Sequence, residues 1–295
     1  MAYVLNVESS SFYVYNLLGD IMKKFIIIVF LALLSGLLFL YSYVFIHKVS
    51  YGDIPILTYH GIDNRDNEYY LDPDKFEEMI AELKKNDFTF ITVQDLYKIY
   101  NKEMDLPDKP VMITLDDGYR DNYTNAYRIL KKYDAKATIF LIGAFVDSSD
   151  QFLTWDMVEE MANSGLVDFE SHTYNSHDLR LDGPHKGKTT FSTPSPGESD
   201  DDYYKRIYED LVWNNNLIYS HSSVFPVAIA YPGGMAGDEI VSKAVKESGL
   251  KLGFLGAKKN ASSIFDLDPY KINRFNIKKS TDPKHFVKLI TPKDK

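Results

Sequence analysis

The chain has 295 residues, enough for one large domain or two small ones, and 45% of them are hydrophobic, so a sizeable core can form. Its formal net charge of −9, from 33 basic and 42 acidic residues, argues against a nucleic-acid binder, which normally carries a basic stripe. The lack of cysteine excludes a thiol nucleophile, thiolate metal ligands, disulfides and a lipoprotein cysteine.

An uncharged apolar run from Phe25 to Ile46 is long enough to span a bilayer. Lys23 and Lys24 precede it, so the positive-inside rule places them in the cytoplasm and the rest of the chain outside. A cleaved signal peptide is the alternative, but the run lacks an Ala-x-Ala cleavage site. We therefore expect a single-pass protein of the cell membrane. Its predicted parts are a cytoplasmic segment (1–24), a transmembrane anchor (25–46), a linker (47–53) and an extracytoplasmic domain (54–291).

After the anchor, strand and helix patterns alternate. Residues 54–59 read as the first strand of the domain, with His60 at its C-terminal end. Asp72 and Pro73 then start an amphipathic helix as N-cap and first helical residue. Further strands are predicted over 90–93, 137–142, 167–170, 227–230, 251–254 and 270–277, and further helices over 122–133, 154–164, 197–219, 238–248 and 282–290. This alternation predicts parallel βαβ units and a barrel-like α/β fold.

The segment from Val111 to Tyr119 is the centre of the chain. Its nearly continuous apolar run indicates a strand buried on both faces. Asp116 and Asp117 stand at the C-terminal end of this strand, and Gly118 allows a sharp turn. In parallel α/β folds that end of a strand carries the chemistry, although a surface Asp-Asp-Gly turn is the plain alternative.

Two histidines follow another short strand. His172 and His177 are five residues apart, a spacing that needs a loop or an irregular helix start rather than one face of a helix. Two neutral imidazoles and one carboxylate make a three-ligand site for a divalent metal, with positions open for water and substrate. Two loop histidines in solvent are the alternative.

Four segments, in this order, resemble motifs of the polysaccharide deacetylases with a NodB-homology domain, carbohydrate esterase family 4. Thr114-Leu-Asp-Asp-Gly-Tyr119 resembles their Asp-Asp motif, and Ser171-His-Thr-Tyr-Asn-Ser-His177 resembles their metal-binding histidine motif with one extra residue between the histidines. Ile54-Pro-Ile-Leu-Thr-Tyr-His-Gly-Ile62 resembles the opening strand of a branch that includes poly-N-acetylglucosamine deacetylases, and Ala230-Tyr-Pro-Gly-Gly234 resembles the third motif. The similarity extends over roughly residues 54–290.

The resemblance implies a distorted (β/α) barrel of the NodB-homology type, with fewer than eight regular units. It implies hydrolysis of N-acetyl groups on N-acetylhexosamine units of a cell-wall or surface polysaccharide. Asp117, His172 and His177 would hold one divalent metal ion, with zinc as first choice and cobalt, nickel or manganese as alternatives.

The other roles carried over are those of the reacting groups. Asp116 would be the general base, and Tyr119, Tyr231 and Pro232 would contact the substrate. A backbone N–H near either tyrosine would stabilise the oxyanion.

The chain departs from the family pattern at two places. Ala230 stands where an arginine usually orients the catalytic aspartate, and the late Leu-x-His motif that supplies the general acid is not apparent. His285 lies in the wrong context to replace that histidine. We expect Arg274 to take the place of the orienting arginine and His60 to be the acid.

Residues 179–202 interrupt the alternation with a long segment rich in glycine and proline. A loop of this length is usually functional or disordered. Because it follows His177 directly, it either borders the substrate groove or is a mobile excursion.

Three rival functions stay open from the sequence. One is another metal-dependent amide or ester hydrolase on the same fold, since a fold does not fix its substrate. Another is a glycan-binding protein that has lost catalysis, as Ala230 and the missing late histidine suggest. A membrane-tethered scaffold is the third, but the retained Asp116, Asp117, His172 and His177 speak against it.

Overall fold

The computed structural model describes residues 22–35, 52–257 and 261–292. The chain divides after residue 48 into two units. In the first unit, helix α1 covers residues 22–35. Within the three described ranges, no helix is both long and apolar enough to cross a membrane. The predicted anchor over 25–46 continues beyond residue 35, outside the described residues, so it stays a prediction.

The second unit, Val49–Lys295, contains ten strands and seven further helices in its described part. The strands are β1 (Asp53–Ile54), β2 (Ile56–Tyr59), β3 (Thr89–Phe90), β4 (Pro110–Asp117), β5 (Ala137–Leu141), β6 (Val167–Ser171), β7 (Ala228–Ala230), β8 (Leu252–Ala257), β9 (Ser262–Ser263) and β10 (Ile272–Asn276). The helices are α2 (Pro73–Lys85), α3 (Val93–Tyr100), α4 (Arg128–Tyr133), α5 (Trp155–Asn163), α6 (Asp200–Ser222), α7 (Glu239–Glu247) and α8 (Pro283–Ile290).

Seven parallel strands close into a barrel. Their order around the barrel is β2, β4, β5, β6, β7, β8 and β10, and β10 pairs again with β2. β3 pairs with the first two residues of β4 and so extends the sheet without entering the ring. The predicted parallel (β/α) barrel with fewer than eight units is therefore confirmed.

Strand β4 shows how the sequence directs side chains to the two sides of the barrel wall. All eight of its residues are buried. Val111, Ile113 and Leu115 pack with the helices, whereas Met112 belongs to the cluster inside the barrel. Because side chains alternate along a strand, Asp116 shares the inward side with Met112. A charged group is thus delivered into the barrel at the end of an apolar strand.

Helix α2 covers part of the outer surface of the barrel. Asp72 caps it by accepting a hydrogen bond from the Asp74 N–H, and a proline occupies its first turn, as predicted. Its buried residues are Phe76, Met79, Ile80 and Leu83. Each such side chain stabilises the fold by roughly 1.5–3 kcal/mol relative to an exposed one, so this face fixes the helix on the barrel.

Three predicted boundaries need correction. The strand predicted over 90–93 ends at Phe90, because Thr92 and Asp95 form a capping box that starts α3 at Val93. The helix predicted over 122–133 begins with a π-helical segment, Asn122–Tyr127. Asp53 is not part of a linker, since β1 pairs antiparallel with β9.

Candidate active site

A cavity of about 400 Å³ opens at the end of the barrel where the strands terminate. The carboxyl ends of parallel strands meet there, which brings residues from distant parts of the chain into one wall. The wall contains almost all of the predicted site residues, namely His60, Asp116, Asp117, Tyr119, His172, His177, Tyr231 and Arg274. Pro232, the remaining residue predicted to contact the substrate, is buried and does not line this wall.

Asp117, His172 and His177 converge at one point of the cavity. The Oδ1 atom of Asp117 lies 3.4 Å from Nε2 of His172 and 3.7 Å from Nε2 of His177. Asp117 adopts a left-handed backbone (φ 75°), as does Gly118 after it (φ 77°), and this turn brings the carboxylate to the cavity. The three groups could hold a metal ion, since their ligand atoms all lie within 4.8 Å of one another.

The donor set fits a divalent transition metal. Oδ1 of Asp117 is buried and has no hydrogen-bond partner within the described part of the chain, which is costly unless a cation faces it. Ligand atoms around a tetrahedral zinc ion lie roughly 3.4 Å apart, given bonds of about 2.0–2.1 Å. The separations around Asp117 are close to that value.

The carbonyl of Ala230 fixes the orientation of His172. Nδ1 of His172 lies 2.7 Å from this oxygen, so Nδ1–H donates and Nε2 is left as a ligand atom toward Asp117. The position where the family pattern has an arginine therefore still serves the site, through its backbone.

Charge and burial act in opposite directions on these groups. Burial alone would raise the pKa of Asp117, but the close approach of His172 and the neighbouring imidazoles of His60 and His177 hold it well below its usual range. For His172, the carboxylates outweigh burial and raise its pKa. Burial and the adjacent His172 lower the pKa of His177 to about 4, so His177 is neutral and able to bind metal at neutral pH.

Asp116 is paired with Arg274 inside the barrel. The two Nη atoms of the guanidinium donate to the two carboxylate oxygens, each at 2.8 Å, and both side chains are almost fully buried. Arg274 is itself anchored by an Nε–H bond to the Leu255 carbonyl (2.9 Å). Burial opposes ionisation of Asp116, but the positive charge of Arg274 outweighs it and lowers its pKa. The predicted replacement of the orienting arginine is thus present as a contact.

His60 lies in the cavity wall at the end of β2, as its place in the sequence predicted. Its ring packs edge-on against Tyr69, with 5.2 Å between the ring centroids. The Asn122 side chain donates to the His60 carbonyl at 2.8 Å, so the π-helical segment helps to hold this residue.

The two tyrosines considered as oxyanion donors differ in whether their backbone N–H already has an acceptor. The N–H of Tyr231 donates to the Phe254 carbonyl at 2.9 Å, and its hydroxyl packs against Gly253, so its amide is not free for a substrate. In contrast, Tyr119 forms an antiparallel β-bridge with Phe152, and the backbone hydrogen bonds of this bridge are made by the residues on either side of the pair. Among the described residues nothing accepts from the Tyr119 N–H, which leaves Tyr119 as the candidate donor.

Sequence analysis missed several residues of the wall. Thr58, Gly233 and Gly234 lie within motif segments but received no role there, and Leu179 and Thr189 lie in the segment 179–202. The remaining residues belong to no motif and become neighbours of the site only when the strand ends meet; they are Asn67, Tyr69, Tyr70, Gly256 and Asn276.

The segment over 179–202 borders the groove, which was one of its two predicted alternatives. Leu179 and Thr189 form a bridge with each other, and both line the cavity. The segment is fastened by an ion pair between Arg206 and Glu198 (2.7 Å) and by the fully buried Phe191. It is therefore part of the site's wall.

A parallel barrel with an Asp-His-His cluster and a buried Asp-Arg pair at its carboxyl end defines the class of protein. The family described as polysaccharide deacetylase matches residues 103–253, slightly more than half of the chain. The chain belongs to the polysaccharide deacetylase family.

Two curated relatives illustrate the relationship. YxkH of Bacillus subtilis, which is named for this family, is 32% identical over 200 residues, covering 68% of this chain and 63% of YxkH. The poly-beta-1,6-N-acetyl-D-glucosamine N-deacetylase of Staphylococcus epidermidis is 32% identical over 211 residues, covering 70% of this chain and 67% of that protein. The match thus spans less than two thirds of YxkH.

Solved structures share the fold. IcaB from Ammonifex degensii superposes with a TM-score of 0.69 at 22% identity, covering 83% of this chain and 99% of that one. The de-N-acetylase from Aggregatibacter actinomycetemcomitans gives 0.70 at 24% identity, covering 80% and 99%.

Proposed function

We propose that this protein is a metal-dependent N-deacetylase that removes acetyl groups from N-acetylglucosamine units of a cell-wall or surface polysaccharide. The observation that carries the proposal is the convergence of Asp117, His172 and His177 beside the Asp116–Arg274 pair in one cavity. The name of the staphylococcal relative supports a poly-N-acetylglucosamine substrate.

Asp117, His172 and His177 would hold the metal ion, with zinc as first choice and cobalt, nickel or manganese as alternatives for two imidazoles and a carboxylate. When bound, the ion supplies Lewis-acid polarisation of water and of the acetamide carbonyl.

Asp116 is the proposed general base. Arg274 keeps it ionised and fixes its plane, and each carboxylate oxygen retains a second lone pair besides the one that Arg274 occupies. The carboxylate lines the cavity, so it can accept the proton of a water that attacks the acetamide carbon.

Tyr119 and His60 complete the residue roles. The free N–H of Tyr119 is placed to donate to the carbonyl oxygen as negative charge develops on it. His60 is the proposed acid that gives a proton to the leaving amine, because its ring lies in the same cavity wall. Acetate and a glucosamine unit with a free amine are then the products.

The rival idea of a glycan binder without catalysis loses one of its two arguments. The arginine missing at Ala230 has a substitute in Arg274, which makes the same kind of contact to the aspartate from another strand. The missing late histidine is left as its only support.

Acetate release from β-1,6-linked N-acetylglucosamine oligomers tests the proposed function. The protein should release acetate, a chelator should abolish release, and added zinc or cobalt should restore it. His172→Ala should be inactive yet folded, with His285→Ala as the matched control outside the cavity. Release that continues at full rate in chelator, or in His172→Ala, would overturn the metal-dependent mechanism.

We also propose that the chain is anchored in the cell membrane by the apolar run 25–46, with the deacetylase domain outside. The uncharged run and Lys23 and Lys24 before it support this orientation. Protease added to intact, wall-stripped cells should remove the domain, and protection of the domain would contradict the proposal.

A further inference from the structure

The loop between the two histidines, residues 173–176, is held from several sides. Its carbonyls accept hydrogen bonds from backbone N–H groups of neighbouring segments, from Gly143 to Thr173 (3.2 Å), from Ala144 to Tyr174 (3.0 Å) and from Phe191 to Ser176 (2.9 Å). Thr173 has a left-handed backbone with φ 73°, an uncommon conformation for a β-branched residue. Such a conformation persists only where the surroundings enforce it.

One carboxylate receives three donors of this loop. Asp210, in the middle of α6, accepts from the Tyr174 N–H on Oδ1 and from the Asn175 N–H on Oδ2, both at 2.8 Å. The Ser176 hydroxyl donates to the same Oδ2 at 2.9 Å. Hydrogen bonds to an ionised acceptor are the stronger kind, and three of them converge here on a side chain that does not line the cavity.

The two histidines depend on this loop to different degrees. The His172 ring is oriented by the Ala230 carbonyl at 2.7 Å. For the His177 ring, the described residues provide no hydrogen bond, and its polar neighbour is Asp117 at 3.7 Å. The position of its Nε2 atom is therefore set mainly by the backbone that leads into it.

We propose that Asp210 is a positioning residue of the metal site, which fixes His177 relative to Asp117 by clamping the loop between the histidines. This inference rests on the proposed function, since it takes the three side chains as metal ligands. It assigns a role to α6, an element that contributes no ligand itself.

To hold the loop, the side chain at position 210 must carry a negative charge and two acceptor oxygens. Both oxygens accept, so an asparagine in its place keeps the size but turns one acceptor into an N–H₂ donor facing a donor. Loss of partners that orient metal ligands typically weakens metal binding roughly 10- to 100-fold.

Zinc titration of the chelator-stripped full-length protein, read by competition with a chromophoric chelator, tests the inference. Asp210→Asn should bind zinc roughly 10- to 100-fold more weakly, and saturating zinc should restore most of its turnover. Glu209→Gln is the matched control, because Glu209 is the exposed neighbour on α6 and its ion pair is with Lys205 on the same helix. Wild-type zinc affinity in folded Asp210→Asn would overturn the clamp.

Two further variants make every outcome informative. Ser176→Ala removes one of the three bonds with little risk to folding and should weaken zinc binding several-fold, so unchanged affinity would also contradict the clamp. Asp117→Asn should weaken zinc binding whatever Asp210 does. If Asp117→Asn binds zinc like the wild type, the metal site of the proposed function is wrong, whereas a loss in Asp117→Asn alone rejects only the role of Asp210.

Discussion

Arg274 and Asp116 form a bidentate ion pair inside the barrel, although 158 positions separate them in the chain. β10 carries the arginine and β4 the aspartate, and β2 lies between these two strands in the ring. The pair therefore exists only when the barrel is closed. It places a permanent cation beside the proposed base, and this makes the arginine a direct target for mutation.

Arg274→Ala should leave the Asp116 carboxylate buried and unpaired. Breaking a buried pair in this way destabilises a protein by about 3–5 kcal/mol. Because Arg274 lowers the pKa of Asp116, its removal should raise that pKa and move the acid limb of the kcat–pH profile to higher pH. A lowered pKa of Asp116 stabilises the folded protein at pH values above the pKa in the unfolded chain, about 3.8. This stabilisation is lost as the pH falls through the lower pKa of the folded protein. Arg274→Ala should therefore lose more stability at neutral pH than at acid pH.

Arg274→Lys is the matched control, because a lysine keeps the charge but lacks the planar guanidinium that makes two parallel hydrogen bonds to the carboxylate. Its unfolding free energy and acid limb should lie between those of wild type and Arg274→Ala. An acid limb that is the same in all three proteins would show that Arg274 does not act on the base.

His60→Ala should remove the proposed acid. Turnover should fall roughly 10²- to 10⁴-fold, the usual contribution of a positioned acid or base. The alkaline limb of the pH–rate profile should flatten, because loss of the acid's proton no longer limits the rate there. Metal content should stay near that of the wild type.

His285→Ala is the comparison for His60, since His285 lies in α8 outside the cavity wall. The steepness of the alkaline limb shows whether His60 or another group is the acid. A His60→Ala protein with an unchanged alkaline limb would mean that another group protonates the amine.

Alternation and motifs predicted most of the scaffold and the main site residues. Buried strands such as β4 can be predicted from the sequence, because an apolar run between turn signals has few other interpretations. The start of α3 was missed because Thr92 and Asp95 form a capping box inside a stretch that also suits a strand. Cavity-wall residues such as Asn276 could not be found, since their position depends on closure of the ring rather than on local pattern.

Residues that support the site indirectly could not be predicted from the sequence either. Asp210 contacts the histidine loop from the middle of a long helix, where an acidic residue reads as a solvent-facing position. Its contact with the loop depends on how α6 packs in the folded domain, against β6 among other elements. The pairing of Arg274 with Asp116 was expected from the resemblance, but its bidentate geometry is a finding of the structure.

Asp168→Asn should make the protein more stable at neutral pH. Oδ1 of Asp168 is buried without a hydrogen bond from the described residues, and burial raises the pKa of Asp168 to about 6. Burial and the charge of Asp168 also raise the pKa of Glu170, two residues further along β6. The folded state therefore resists loss of these protons, so wild-type stability attributable to them is present below pH 4 and is lost as the pH rises through about 6.

Urea unfolding at pH 4.5 and pH 7.5, for wild type and variant, measures this effect. The advantage of Asp168→Asn should grow between the two pH values, to at most about 3 kcal/mol. Asp182→Asn, an exposed aspartate in the 179–202 segment, should show no such growth. Equal stability differences at both pH values would indicate that Asp168 titrates normally in the folded protein.

The last prediction separates the neighbouring carboxylates, because the structure gives them different partners. Asp116 faces Arg274 inside the barrel, whereas Asp117 faces the two imidazoles. Asp116→Asn should keep metal occupancy near normal and substrate binding intact, yet lose roughly 10²- to 10⁴-fold in turnover, since an amide cannot accept the water's proton. Asp117→Asn should weaken metal binding first, and excess metal should restore part of its activity. Metal analysis of both variants beside kcat at low and saturating zinc distinguishes the roles. If Asp116→Asn loses the metal while Asp117→Asn retains it, the two assignments are exchanged, and the ion pair with Arg274 would have to orient a ligand rather than a base.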